Sequence, residues 1–378
     1  MRVLYVIDSL EPSGAEWSLL AMTRHLVDRG IELEVLHFGT GSGLGPRFEA
    51  RGVPVTRSDE TRLLARARVV RDRVHETGAA LVHTTLFEAD QAGRLGARWA
   101  RTPVVSSLVN VAYGREQREA TELPAWKVAG AHALDIATAR LVRRWHAISR
   151  TVAEAMGRRL LIPSTRIDVV PRGRDPAVLG ERTAERRART RSQLGIAPET
   201  TVLLTAARQE AQKGLDVAIE VIDRFHRDRP DAMLLMAGRD GNASDQLRAR
   251  VATAGLDGTV RMLGWRPDVP DLLVAADVLL FPSRWEGLGS VLLEAMALEI
   301  PIVSTDLPVV RELLIDDDGT ELAHFAPVDD ASALTTACHA ALDGCEDRPA
   351  RARARFLRYY TAERAAAGIA ALYRRSLS

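Results

Sequence analysis

The chain has two cysteines among 378 residues and only two lysines among its 51 basic side chains, and each shortage excludes something. Cys338 and Cys345 lie seven apart in a stretch with helical patterning. That argues for two small apolar fillers on one buried helix face, and against a disulfide or a zinc site. No apolar run approaches the ~18 residues a membrane-crossing helix needs, and the first strand-like run, VLYVI, is closed by Asp8 with no cleavage-site pattern after it. The expected location is therefore cytoplasmic. An excess of basic charge is missing too: the formal net charge is +1, far from the basic balance of a duplex binder, so no nucleic-acid partner is expected. The scarcity of lysine points to a coding bias that writes arginine wherever either would serve. A retained lysine, Lys127 or Lys213, is then worth inspecting.

Apolar residues make up 46% of the chain and charged residues 27%, the composition of a folded globular protein. The length exceeds one ordinary core and suits two domains of about 150 to 190 residues. From the first residue, short β-branched runs alternate with helical patterns (RVLYVID, AEWSLLAMTRHLVDRG, IELEVLHFG and onward to RIDVVP), which is the signature of parallel βαβ units. At Pro171 the rhythm lapses into an Arg, Gly and Pro-rich stretch. It restarts with TVLLTAA and runs through AMLLMAG, VRMLG, VLLFPS and PIVSTD. The expected fold class is α/β, with two Rossmann-like doubly wound domains: 1–172 joined by a C-terminal helix at about 356–378 that packs back, and 173–355. Such sheets bind ligands beyond the C-terminal ends of their strands, and two of them can face each other across a cleft.

The unusual residues fall in loops after strands. SLEPSGAE, residues 9–16, brings Gly14 to the mouth of a helix, where an anion or a backbone can approach, but it lacks the dinucleotide fingerprint. A plain helix start is an equal reading there. AARQEAQKGLD, residues 206–216, sets Arg208 and Lys213 five apart before a helix, two cations suited to the two negative units of a diphosphate. The bland alternative is a solvated loop. SRWEGLGSVLLEAMA, residues 283–297, follows the buried strand VLLF. Gly287 and Gly289, with Leu288 between them, free the backbone to present N–H groups, and the helix that starts near Ser290 adds its partial positive charge. A carboxylate beside a phosphate is repelled, so Glu286 and Glu294 need other partners, and sugar hydroxyls donate to carboxylates. Otherwise Glu286 is a surface residue paired with Arg284.

PSRWEGLGSVLLEAMALEIPIV, preceded by VRMLGWRPDVPDLLVAADVLL and ARQEAQKG, resembles the donor half of retaining GT-B glycosyltransferases of family 4, with the Glu-(x)7-Glu spacing of that class. GAE at 14–16, HAIS at 146–149 and VVPRG at 169–173 extend the resemblance over nearly the whole chain. It implies transfer of a hexosyl-type sugar from a nucleotide-diphosphate sugar, UDP slightly favoured, to a hydroxyl acceptor with retained anomeric configuration and no metal or other cofactor. Arg208, Lys213 and Glu286 would carry the chemistry. Gly14, Arg266, Gly287, Leu288, Gly289, Ser290 and Glu294 would complete the donor site, with Glu294 on the ribose and the stretch Trp265–Arg266 along the base. His83, His132 and His146 lie on separate elements and read as structural histidines rather than as ligands.

Two departures stand out. Asn110 occupies the position where many relatives carry a histidine, and an amide cannot accept the proton; the usual Asn-Gly at the junction is Arg172-Gly173. The acceptor, whether a small molecule, a glycan or a lipid-linked hydroxyl, is expected at first-domain loops with Glu16, Asn110, Tyr113, Arg115 and Glu116 as candidates. The arginine-rich helix RLLARARVVRDRV offers a peripheral contact with an anionic inner membrane face. The rival readings are a nucleotide-sugar epimerase or phosphorylase on the same scaffold, which needs no sugar acceptor, and a non-catalytic partner subunit, which a lack of nucleotide binding would favour.

Overall fold

A computed structural model of the protein describes residues 1–39, 43–114, 123–344 and 347–378. Arg115, Glu116 and Cys345 lie outside the described residues. The chain separates into two compact units, Met1–Asp175 with Tyr360–Ser378, and Pro176–Tyr359.

In the first unit the strands are β1 (Arg2–Ile7), β2 (Glu32–His37), β3 (Val55–Arg57), β4 (Leu81–Thr85), β5 (Val104–Leu108), β6 (Arg144–Ala147) and β7 (Ile167–Val169). All pair in parallel, in the order β3-β2-β1-β4-β5-β6-β7. β4 and β5 are buried at every position, as expected of strands covered on both faces, although each carries polar residues, His83, Thr84 and Thr85 in β4 and Ser106 and Ser107 in β5. Helix Gly14–Val27 buries Leu19, Leu20 and Leu26 against one face, and helix Ala362–Leu377 buries Ile369, Leu372 and Tyr373 in the same core.

The second unit contains β8 (Val202–Ala206), β9 (Met233–Ala237), β10 (Val260–Gly264), β11 (Val278–Phe281), β12 (Ile302–Thr305) and β13 (His324–Ala326), ordered β10-β9-β8-β11-β12-β13. Helix Leu215–Asp228 shows why the pattern folds this way. Leu215, Ala218, Ile219, Ile222 and Phe225 recur at helical spacing and are all buried, while Glu220, Asp223, Arg224 and Arg227 form ion pairs on the outer face. In each sheet the strand order reverses beside its first strand, between β1 and β4 and between β8 and β11. That is where a doubly wound sheet opens its ligand crevice.

Three features go beyond the sequence reading. The stretch after Pro171 holds two helices, Pro176–Leu179 and Ala184–Gln193. The second is anchored by charge rather than by apolar contacts: Arg187 and Arg191 both hold the Asp277 carboxylate and donate to the carbonyls that close helix Val269–Ala275. β13 was not foreseen, being only three residues. The last helical stretch is two helices, Arg348–Tyr359 in the second unit and Ala362–Leu377 in the first, with Thr361 capping the latter through its hydroxyl. Cys338 is buried as expected, and burial pushes its thiol up to about 12.

No helix among the described residues is long and apolar enough to cross a membrane. On the arginine-rich helix Leu63–Thr77, Ala67, Val70 and Val74 face inward, and three of the outer arginines are spent within the protein: Arg66 on Glu88, Arg71 on Asp72, and Arg73 on Glu34 and Glu76.

Candidate active site

Two loops meet at the switch point of the second sheet. One leaves β8 and carries Arg208 and Lys213; the other leaves β11 and carries Ser283 to Gly289. The backbone N–H of Arg284 donates to the Gln212 carbonyl at 2.8 Å, the Gln212 amide donates to the Trp285 carbonyl at 2.6 Å, and the Arg284 guanidinium donates to the Ala211 carbonyl at 2.6 Å. Close approach demands glycine at 214. Its φ is +59°, and a Cβ there would stand 2.1 Å from the Pro282 carbonyl oxygen. Lys213 is thereby delivered to the second loop.

The lysine Nζ lies 2.5 Å from Glu286 Oε1, and the Ser283 hydroxyl donates to the same oxygen at 2.9 Å. The pair is sheltered: the Lys213 side chain is 18% exposed and that of Glu286 7%. Thr305, at the end of β12, donates to the Ser283 carbonyl at 2.5 Å, which holds the loop from the other side. Arg284 does not pair with Glu286. Its guanidinium reaches Asp216 at 2.8 Å and Asp329 at 2.7 Å. Burial works to raise the Asp216 carboxyl, yet the Arg284 guanidinium overrides it and holds the group below the ordinary carboxylate range.

Arg208 is the open cation of the site. Its side chain is 56% exposed and only loosely paired, 3.6 Å from Glu210. Beyond Glu286 the chain turns through buried Gly287 and Leu288 into Gly289, whose φ of +80° lets it precede helix Ser290–Ala297 without a side-chain cap. No side chain caps that helix, the Leu292 N–H donates to the Gly289 carbonyl at 3.0 Å, and helix polarity makes this end attractive to an anion. Glu294 is half-buried one turn further on, about 6 Å along the axis from Ser290. Arg266 follows β10, two strands from β8, and its guanidinium is engaged by Asp268 at 2.6 and 2.7 Å.

The first-unit candidates are more committed. Gly14 opens helix Gly14–Val27, and Glu16, fully buried, accepts a hydrogen bond from the Ser13 hydroxyl. Arg172 lies close enough to Tyr5 and Glu16 for its charge to be felt. Burial pulls its guanidinium down to about 10, partly offset by those two groups. Asn110, past the end of β5, turns its carbonyl oxygen onto the Val111 N–H at 2.8 Å. Tyr113, at φ +64°, stacks on His132 at 4.3 Å and donates its hydroxyl to Asp135 at 3.0 Å; burial and then that carboxylate raise the phenol well above its ordinary range.

His83 and His146, distant in sequence, are brought together through β5. The Ser107 hydroxyl lies 2.8 Å from His83 Nε2 and 2.9 Å from His146 Nδ1, the Tyr373 hydroxyl meets His83 Nδ1 at 2.6 Å, and His146 Nε2 donates to the Val170 carbonyl at 2.8 Å. Burial lowers both imidazoles, that of His146 to about 4, so both are neutral at pH 7.

Ser283, Gln212 and Asp216 were not singled out from sequence. A signal for Ser283 existed in the Ser-x-x-Glu spacing of 283–286, which repeats that of 13–16.

Residues 12–178 match the family model described as Glycosyltransferase Family 4, and residues 186–354 match that described as Glycosyl transferases group 1. The chain belongs to glycosyltransferase family 4. Among curated relatives, the lipopolysaccharide core biosynthesis mannosyltransferase LpsB of Rhizobium meliloti (strain 1021) is 33% identical over 190 residues, 48% of this chain and 53% of that protein. A D-inositol 3-phosphate glycosyltransferase of Kineococcus radiotolerans is 30% identical over 252 residues, covering 63% of this chain and 56% of that protein. The family 4 chain thus spans little more than half the length of these two relatives. Among solved structures, Anabaena Alr3699/HepE in complex with UDP and glucose superposes with a TM-score of 0.86 at 20% identity, covering 99% of this chain and 100% of that one. WaaG, a glycosyltransferase involved in lipopolysaccharide biosynthesis, gives a TM-score of 0.69 at 19% identity over 97% and 94% of the two chains. These likenesses establish the GT-B fold for this family 4 chain.

Proposed function

We propose that the protein transfers a hexosyl-type sugar from a nucleotide-diphosphate sugar, UDP favoured, to a hydroxyl acceptor with retention of anomeric configuration. The observation that carries the reading is the convergence of Arg208, the Lys213–Glu286–Ser283 cluster and the start of helix Ser290–Ala297, which has no side-chain cap, at one sheet switch point. A departing diphosphate needs neutralisation from several directions. Arg208, Lys213 and the helix end supply it, so leaving-group stabilisation dominates the barrier. Glu286 then serves two ends: one oxygen holds Lys213 in place, and the carboxylate accepts from a hydroxyl of the transferred sugar. Glu294 takes the ribose hydroxyls, and the acceptor hydroxyl attacks from the face the diphosphate leaves. The complexes of the Anabaena protein with UDP and glucose and with UDP-glucose support a uridine donor. In this reading the charge is met by side chains and helix polarity, without a metal.

The test is a thermal-shift panel of nucleoside diphosphates and their sugars, followed by product analysis with donor alone and with candidate hydroxyl acceptors. Stabilisation by UDP and transfer only when an acceptor is present are expected, with NMR of the product giving the anomeric configuration. Turnover of the donor without any acceptor would move the assignment to an epimerase or phosphorylase, and indifference to every nucleotide would overturn it.

A further inference from the structure

A cavity of about 490 Å³ opens in the first unit at the N-terminal ends of β5 and β6, the edge of the sheet opposite its ligand crevice. Five arginines line it: Arg98 from the last turn of helix Phe87–Trp99, Arg101 from the turn before β5, Arg140 and Arg143 from the turn before β6, and Arg166 from the turn before β7. None of its lining residues among the described ones is acidic.

Helices Phe87–Trp99 and Ala125–Ala139 end here, and helix carbonyl ends draw basic side chains. Only one of the five is engaged by carbonyls, and those lie past the helix end, in the turn before β6. Arg166 donates to the carbonyls of Val142 and Arg143. The guanidiniums of Arg98, Arg101, Arg140 and Arg143 make no hydrogen bond or ion pair with any described residue. The contrast with the arginines of helix Leu63–Thr77 is direct, since three of those are paired. Arg101 also sits at φ +57°, a conformation that penalises any side chain and suits glycine. In a chain whose formal net charge is +1, five positive charges around one hollow, four of them without a partner among the described residues, are a local field that the overall balance conceals.

We infer that this cavity is a second anion site, distinct from the loops after β8 and β11, that binds a phosphate-bearing ligand carrying at least two negative charges. The volume falls within the range of small-molecule sites. Guanidinium forks match phosphate oxygens in pairs, and several of them around one hollow suit a group that carries two or more negative charges in a small volume. The same group can arrive as a soluble phosphate ester or on a lipid headgroup.

The full chain is titrated calorimetrically with inorganic pyrophosphate, alongside Arg98→Ser/Arg143→Ser and, separately, Arg208→Ala/Lys213→Ala. In parallel, co-sedimentation is measured with phosphatidylcholine vesicles with and without phosphatidic acid. The first double variant is expected to lose at least tenfold in pyrophosphate affinity at one site, while its melting temperature and its shift with UDP stay as in the parent. The second is expected to retain that site. Loss of phosphatidic-acid binding in the first variant, with pyrophosphate ignored by the parent, would assign the cavity to a lipid headgroup. If the first variant binds both probes as tightly as the parent, no phosphate site exists there and the inference fails.

Discussion

The Lys213–Glu286 contact makes a prediction that separates architecture from chemistry. With the two side chains 18% and 7% exposed, removing only the cation leaves a carboxylate that water hardly reaches, held by a single hydroxyl from Ser283. Breaking a fully buried pair costs roughly 3 to 5 kcal/mol; the partial access of the lysine lowers that to about 2 kcal/mol for Lys213→Met. Glu286→Gln keeps an acceptor for Ser283 and leaves the lysine its partial access to water, at about 1 kcal/mol. The double variant removes both charges, so its cost should fall about 1 to 2 kcal/mol short of the sum. At roughly 2 to 4 °C per kcal/mol for a unit of this size, Lys213→Met alone should lower its melting temperature by about 4 to 8 °C. The assay is urea unfolding of the four proteins of the cycle. A coupling energy below ~0.5 kcal/mol would show that the contact contributes no mutual stabilisation. The same variants also divide binding from turnover. If a diphosphate settles about 6 Å from Glu286, their repulsion is about 0.7 to 2.8 kcal/mol for an effective dielectric between 80 and 20. Glu286→Gln should therefore bind UDP about three- to a hundredfold more tightly while turning over donor more slowly. Weaker UDP binding by Glu286→Gln would refute the electrostatic part of the argument.

Other outcomes follow from the same geometry. Arg208→Ala should reduce turnover by roughly 10² to 10³ if the guanidinium stabilises developing charge, measured as initial rates at saturating donor. Gly214→Ala should displace Lys213 even though it alters no functional group, because its Cβ would meet the Pro282 carbonyl at 2.1 Å; a structure with an unmoved Lys213 and unaltered turnover would contradict this. Glu294→Ala is expected to weaken UDP more than it weakens a non-ribosyl diphosphate such as pyrophosphate. For His146, the folded imidazole is lowered from 6.5 to about 4, so the unfolded chain binds more protons and stability is lost as pH falls from about 6.5 toward 4. The contribution is about 2 kcal/mol at pH 5, so the cost of His146→Gln, measured by urea titration, should be about 2 kcal/mol smaller at pH 5 than at pH 7.

The strands were legible because parallel sheets covered on both faces write themselves as apolar runs, and the site loops because glycine, paired cations and carboxylates are out of place after such runs. What escaped has physical reasons. Helix Ala184–Gln193 buries little apolar surface and is held by Arg187 and Arg191 on Asp277, and a hydrophobic pattern cannot register a charge contact some ninety residues away. His83 and His146 looked unrelated because sheet order, and not sequence distance, sets them on either side of Ser107. The Lys213–Glu286 pair was hidden for the same reason. Both residues were singled out, but their contact depends on the close approach that Gly214 permits.

The division of the last two helices has a consequence for how the protein is made. Tyr373, Leu372 and Ile369 belong to the core of the first unit, yet they follow the entire second unit in the chain. During synthesis the N-terminal sheet must wait, with one apolar face uncovered, until about 180 further residues have emerged. At ~5 to 20 residues per second, that exposure lasts roughly ten to forty seconds. The second unit has no such debt, because every strand of its sheet and the helices that cover it lie between Pro176 and Tyr359. The unit made first is therefore completed last, and a nascent chain stalled before Tyr360 should present a folded second unit beside a sticky, chaperone-dependent first.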